Sequence, residues 1–290
     1  SEEKRLEIED QLANDKYYSE AKAVGVSFNQ RNGVLSAQEE GYMSRWIDRY
    51  SDEGFGTWRG AAVSGLAASE RAFSTLLNTM RLEYYKDLTV GQDLSKAEKK
   101  HLASFVNAMT GRGGLGKSDT VLVGLNRIFW APRLLVSRAQ ILLGYHAHAG
   151  LFLGKGKTGD FRKGKMATVV GKEYLRMLRP LLAIAALAWM SMDDDEWDEF
   201  TDPRGPKFGC IKIFGVYLDW MGGFKPVIRL AAQLRTGSTV TFAGKEKEFG
   251  SDVFTDSDSI LWNFARTKAH PSLGLAYSMY TGSDLVGRAM

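Results

Sequence analysis

Residues 111–118 read GRGGLGKS and match G-x-x-x-x-G-K-[ST] at every fixed position. A phosphate-binding loop of that kind demands a particular neighbourhood. A buried strand must deliver the chain to the glycines, and a helix must leave them with its positive end on the phosphates. The preceding segment, KKHLASFVNAMT, repeats its apolar residues at helical spacing. Asn107 and the run Lys99, Lys100, His101 also suit a central parallel strand poorly. The glycines are therefore expected to join helix to helix. A strand ending in a carboxylate for Mg²⁺ is not evident either. The acids after AIAALAWMSM follow a helical run, and Asp219 in VYLDW belongs to a hairpin. On this reading Gly111, Gly116, Lys117 and Ser118 form a structural turn that imitates a nucleotide site, and no cofactor is expected. Two alternatives remain: a P-loop NTPase, which requires an extended segment ending at Thr110, and a nucleic-acid-binding accessory module.

The fold expected is mainly α, a multi-helix domain with a small β-ribbon element in the C-terminal third. Residues 2–24 read as helix, with Leu6, Ile8, Leu12 and Tyr17 among many charges. Ser36 and Glu39 make a capping box for a second helix running to Tyr50. Trp58–Leu88 is one long helix in which Gly60, Ser64 and Ala68 recur every four positions and permit close packing. Ser95 and Glu98 form another capping box, ahead of a buried stripe of Leu94, Leu102, Phe105, Val106 and Met109. VLVGLNRIFW and PRLLVSRAQILLGY read as two helices parted at Ala131–Pro132, and a further helix spans Met166–Met192.

After Asp202 the texture changes. FGCIKIFGVYLDW alternates like a hairpin turning near Phe214–Gly215, and TVTFAGKEKEF reads as a shorter ribbon. FKPVIRLAAQLRTG between them is a helix closed by Gly237, and SDSILWNFARTKA gives one more. The expected organisation is an N-terminal helical segment over 1–56, a helical core over 57–200, and a ribbon-plus-helix region over 201–290 packed on the same domain.

Chemistry is hard to find. Cys210 is the single cysteine, which excludes an internal disulfide and a cysteine-based zinc site. His146 and His148 stand two apart, on different sides of a helix, with no carboxylate nearby, so no metal is expected. The run Asp193, Asp194, Asp195, Glu196, Asp198, Glu199 lacks the spacing of a calcium loop and reads as a solvated helix end. The net charge of +4 over 290 residues permits a polyanionic partner without demanding one. Its densest basic stretch is Gly154–Lys165, where Lys155, Lys157, Arg162, Lys163 and Lys165 are the candidates for contact with nucleic acid or lipid. LLAIAALAWMSM at Leu181–Met192 is the most apolar stretch, yet it is too short to span a bilayer and is expected to be a buried core helix. Insertion into a host membrane would need a trigger.

Several short motifs occur in a telling order: TGRG at Thr110–Gly113, APRLLVSR at Ala131–Arg138 and DPR at Asp202–Arg204, then FGCIKI at Phe208–Ile213, DWMGGF at Asp219–Phe224, RLA at Arg229–Ala231, and Thr236–Gly237. Together they resemble the large polyvalent protein-associated domain of tailed bacteriophages, over roughly residues 60–285. Two positions depart from the pattern: Gly205-Pro206-Lys207 replaces small polar residues, and Ala131 stands where serine is usual. The resemblance implies an internal virion or DNA-ejection protein without catalytic residues. It would lie in the virion interior and then reach the host cell envelope. Its expected partners are other virion proteins and further copies of itself, with contact to DNA and conditional contact with the host membrane.

Overall fold

The computed structural model describes residues 2–28, 58–114, 125, 129, 131–152, 165–221, 223–249, 259–268, 275 and 278–280, with backbone alone at 2, 3, 5, 58–71 and 152. The helix expected from Ser36, most of VLVGLNRIFW and the side chains of Gly60, Ser64 and Ala68 lie outside the described part. Within it the chain is mostly helical, with two small antiparallel sheets in the C-terminal third.

The stretch expected as one helix over 2–24 is two: α1 (Glu2–Asn14) and α2 (Tyr18–Val24). Asp15 makes the break, because its Oδ1 accepts the Tyr17 N–H at 2.8 Å and so competes with the helical ladder. Helix α3 (Trp58–Thr89) is long, as its pattern requires, and α4 (Lys96–Met109) starts on the expected capping box. There the Glu98 N–H donates to Ser95 Oγ at 3.3 Å and the Ser95 N–H to Glu98 Oε2 at 2.7 Å. Leu102, Phe105 and Val106 of α4 are buried against Leu82, Tyr85 and Leu88 of α3, and Ala21, Val24, Val26 and Phe28 complete this core. Arg81 is fully enclosed and pins three segments together. Its Nε donates to Thr110 Oγ1 at 3.0 Å and its Nη1 to the Ser27 carbonyl at 2.9 Å.

Helices α5 (Pro132–Leu142) and α6 (Tyr145–Phe152) follow, then α7 (Lys165–Ser191). Ala131 sits in the left-handed region at φ 48°, with Pro132 in the first turn of α5. The first half of α7 buries Met166, Val170 and Glu173. Its outer half departs from expectation. Leu182 is 66% exposed, Leu187 65%, Trp189 66% and Met190 78%, and Ala188 is the buried residue of that stretch. The reason is length. Helix α7 has 27 residues and extends about 40 Å, whereas its main neighbour α6 has 8 residues and extends about 12 Å. The acidic run is also not a frayed end of α7. Asp193 caps a new helix, α8 (Asp194–Thr201), accepting the Glu196 N–H at 2.8 Å, and the acids of its first turn face the favourable pole of the helix dipole.

In the C-terminal third, β1 (Cys210–Ile213) pairs with β2 (Val216–Asp219) in the register Ile213↔Val216. Phe214 and Gly215 both have positive φ, 50° and 80°, the signature of a primed turn matched to strand twist. Helix α9 (Lys225–Thr236) ends on Gly237 at φ 68°, and the short ribbon β3 (Ser238–Val240) with β4 (Glu246–Glu248) follows. Helix α10 (Ile260–Lys268) packs against α9, which also touches α5 and β3.

A candidate polyanion cleft

The Asp202-Pro203-Arg204 stretch organises this third of the chain. Pro203 disfavours helical geometry at Asp202, which is extended at φ −76°, ψ 105°. Arg204 then turns back on it as a fork, Nε to Oδ1 at 3.0 Å and Nη2 to Oδ2 at 3.0 Å. The hydrogen bond from Arg204 holds the Asp202 carboxyl below the usual carboxylate range. Arg204 Nη1 also reaches Ser238 Oγ and Glu246 Oε1, which ties the ribbon down. The Arg204 carbonyl receives Arg229 Nη2, Gln233 Nε2 and Thr239 Oγ1, each at 3.3 Å. One residue thereby fixes α9 against β3 and β4.

That clamp orients one face of α9. Lys225, Arg229 and Gln233 recur every fourth residue and line a cleft of about 840 Å³. Asn263, Phe264, Arg266, Thr267 and Lys268 of α10 form the facing wall, and Thr239, Lys247 and Phe249 come from the ribbon. Among the described residues five cations line this space with one carboxylate, Asp219, whose Oδ1 is engaged by the Met221 N–H at 2.9 Å. Lys225 is buried, and its Nζ lies 2.8 Å from Cys210 Sγ. Burial pushes the Arg229 guanidinium down from its ordinary pKa, with the Cys210 side chain partly offsetting this, and its Nε has no hydrogen-bond partner. Burial likewise pushes Lys268 down. Among the described residues no ion pair accompanies Arg229 or Lys268, whose positive charge burial partly strips of water. An anion entering the cleft would compensate that charge.

Of the basic residues singled out in the sequence, the one described lies outside this cleft. Lys165 opens α7 and donates to the Asp93 carbonyl at 3.2 Å, a brace to the turn between α3 and α4. Lys155, Lys157, Arg162 and Lys163 lie outside the described residues, as do Gly116, Lys117 and Ser118. Gly111, at φ 87°, follows directly on α4, so the segment reaching the glycine cluster is helical where a P-loop requires a strand. A Cβ on Gly113 would lie 2.3 Å from the Ser137 backbone nitrogen. The Gly113 N–H donates to the Arg133 carbonyl at 3.2 Å, and Gln140 Nε2 donates to the Gly114 carbonyl at 2.7 Å. These glycines let the turn lie directly on α5.

His146 is buried, whereas His148 is exposed, and among the described residues no three His, Cys, Asp or Glu side chains come together as a metal site. The cleft itself carried one readable signal. The four-residue spacing of Lys225, Arg229 and Gln233 marks a common helix face, but Lys268 is 43 positions from Lys225 and joins it only through the packing of α10 on α9. Compared with protein-family models, curated proteins and solved structures, the chain matches none.

Proposed function

We propose that the chain is a non-enzymatic internal virion protein of a tailed phage, or a domain of one, whose C-terminal cleft holds a nucleic-acid strand. The observation that carries the reading is the convergence of Lys225, Arg229 and Lys268 on one cleft, with the last two desolvated and, among the described residues, without acidic partners. Phe249 and Phe264 line the same space, so bases have ring faces to stack on while phosphates meet the cations. The motifs behind the phage resemblance shape this cleft: Asp202–Arg204 clamps α9, Asp219 lines the wall, and Gly223–Phe224 lead into Lys225. In this role the protein accompanies the genome from the virion interior to the host envelope.

The test is anisotropy of a labelled single-stranded oligonucleotide across a salt series. Three phosphate contacts predict a slope of log K against log salt of about −2 for a single strand. Lys268→Ala and Arg229→Ala are each expected to reduce the magnitude of that slope by about 0.7. No binding at low salt, or binding indifferent to both substitutions, rejects the cleft as the site. Retention of the protein in emptied particles would separately reject delivery with the genome.

A further inference from the structure

The outer half of α7 carries a second feature, separate from the cleft. Arg179, Leu182, Ala183, Ala186, Trp189 and Met190 of α7 recur at intervals of three and four and are all exposed. They form one stripe about 16 Å long on the helix surface, and the acids Asp193, Asp194 and Asp195 begin just beyond the end of α7. Single exposed apolar residues are ordinary, but a continuous row of them on one helix face is the mark of an interface. The ends of the row settle what would cover it. Arg179 stands free at one end, and Asp193, Asp194 and Asp195 are exposed at the other.

We propose that this stripe is a homodimer interface in which two copies of α7 cross antiparallel about a two-fold axis at Ala186. A two-fold interface uses the same patch on both partners, so the patch must complement itself when reversed. This one does. Reversal about Ala186 sets Leu182 of one copy opposite Met190 of the other and Ala183 opposite Trp189, and it brings Arg179 to the end where the partner's acidic run Asp193–Asp195 follows α7. Small residues fall at the crossing, where helix axes approach most closely, and each large side chain meets a smaller or more flexible one. A parallel pairing would instead stack arginine on arginine and acids on acids. An anionic membrane would be repelled by the three aspartates.

The experiment places one cysteine at a time on the full chain. Ala186→Cys is expected to form a covalent dimer under mild oxidation, because the two-fold brings residue 186 against its own copy. Ala183→Cys is expected not to, since rise alone separates its two copies by about 9 Å along the axis. The native chain, whose Cys210 is buried, is the control. In sedimentation, Arg179→Glu should weaken self-association at least about tenfold by setting like charges opposite one another, and Arg179→Glu combined with Asp194→Arg should recover it. Both positions are exposed, so circular dichroism is expected to stay unchanged. A chain monomeric throughout the micromolar range overturns the proposal. So does equal cross-linking at 183 and 186, or burial of Trp189 that requires phospholipid vesicles.

Discussion

The body formed by α1–α4, α6 and the first half of α7 treats its polar groups differently from the C-terminal third. In the body, charge is enclosed only where partners surround it. Arg81 is wholly buried but spends its donors on Thr110 and Ser27, and Tyr84 reaches Glu173 at 3.2 Å while Glu173 also pairs with Arg176 at 2.7 Å. Burial and the Glu173 carboxylate keep the Tyr84 hydroxyl protonated, raising its pKa above the ordinary range. In the C-terminal third, by contrast, Arg229 and Lys268 are desolvated with no acidic partner among the described residues, and Phe214 stands fully in solvent at the hairpin tip. The body leaves neutral groups unpartnered, His146 Nδ1 and Tyr174 Oη. The C-terminal third leaves desolvated cations, whose charge an anionic ligand would offset.

The largest test of this contrast is a pair of aromatic truncations. Phe105 touches the rings of Tyr84, His146 and Tyr174 and is fully buried, so Phe105→Ala is expected to cost about 3–5 kcal/mol in urea unfolding. Phe214→Ala should change stability by less than about 0.5 kcal/mol. Equal effects would erase the distinction between the two regions.

Acid should strike the body next. His146 is buried beside His101, with its Nε2 3.2 Å from Ser104 Oγ and its Nδ1 unpartnered. Desolvation, helped by the neighbouring His101, lowers its pKa to about 4. A histidine held neutral in the fold binds its proton more readily when unfolded. Stability is therefore fully present above the unfolded value near 6.5 and is lost as pH falls toward 4. The loss is about 3 kcal/mol across that window. Replacing His146 by Phe should flatten this part of the pH profile of the urea midpoint, whatever its cost at neutral pH. An unchanged slope would assign the acid sensitivity to other groups.

The smallest effect has the opposite sign and sharpens the comparison most. Lys268→Met removes a desolvated charge that has no acidic partner among the described residues, so stability should hold or rise by about 0.5–2 kcal/mol. Oligonucleotide affinity should fall at the same time. A substitution that stabilises the fold while weakening binding would mark Lys268 as kept for a ligand; a loss of stability would instead make it part of the packing.

Much of the fold could be read locally. The Ser95–Glu98 capping box, the Phe214–Gly215 turn and the Gly237 helix stop are each made of a few consecutive residues obeying short-range hydrogen-bond and steric rules. Asp15 was a local breaker as well, and the apolar pattern on either side hid it. The candidate site was legible only in fragments, because Lys225 and Arg229 share a helix while Lys247 and Lys268 come from other elements.

The sequence by itself thus determined where helices and hairpins begin and end, and that a helix rather than a strand runs into GRGGLGKS. Tertiary structure alone decided which charges share a cleft and which apolar face is left to solvent. The physical reason is range. Capping and turn geometry act within a few bonds, whereas desolvation and burial depend on what the rest of the chain brings within a few ångströms. The α7 stretch LLAIAALAWMSM shows it: its composition called for a core, and its length carried it past the helices that form one.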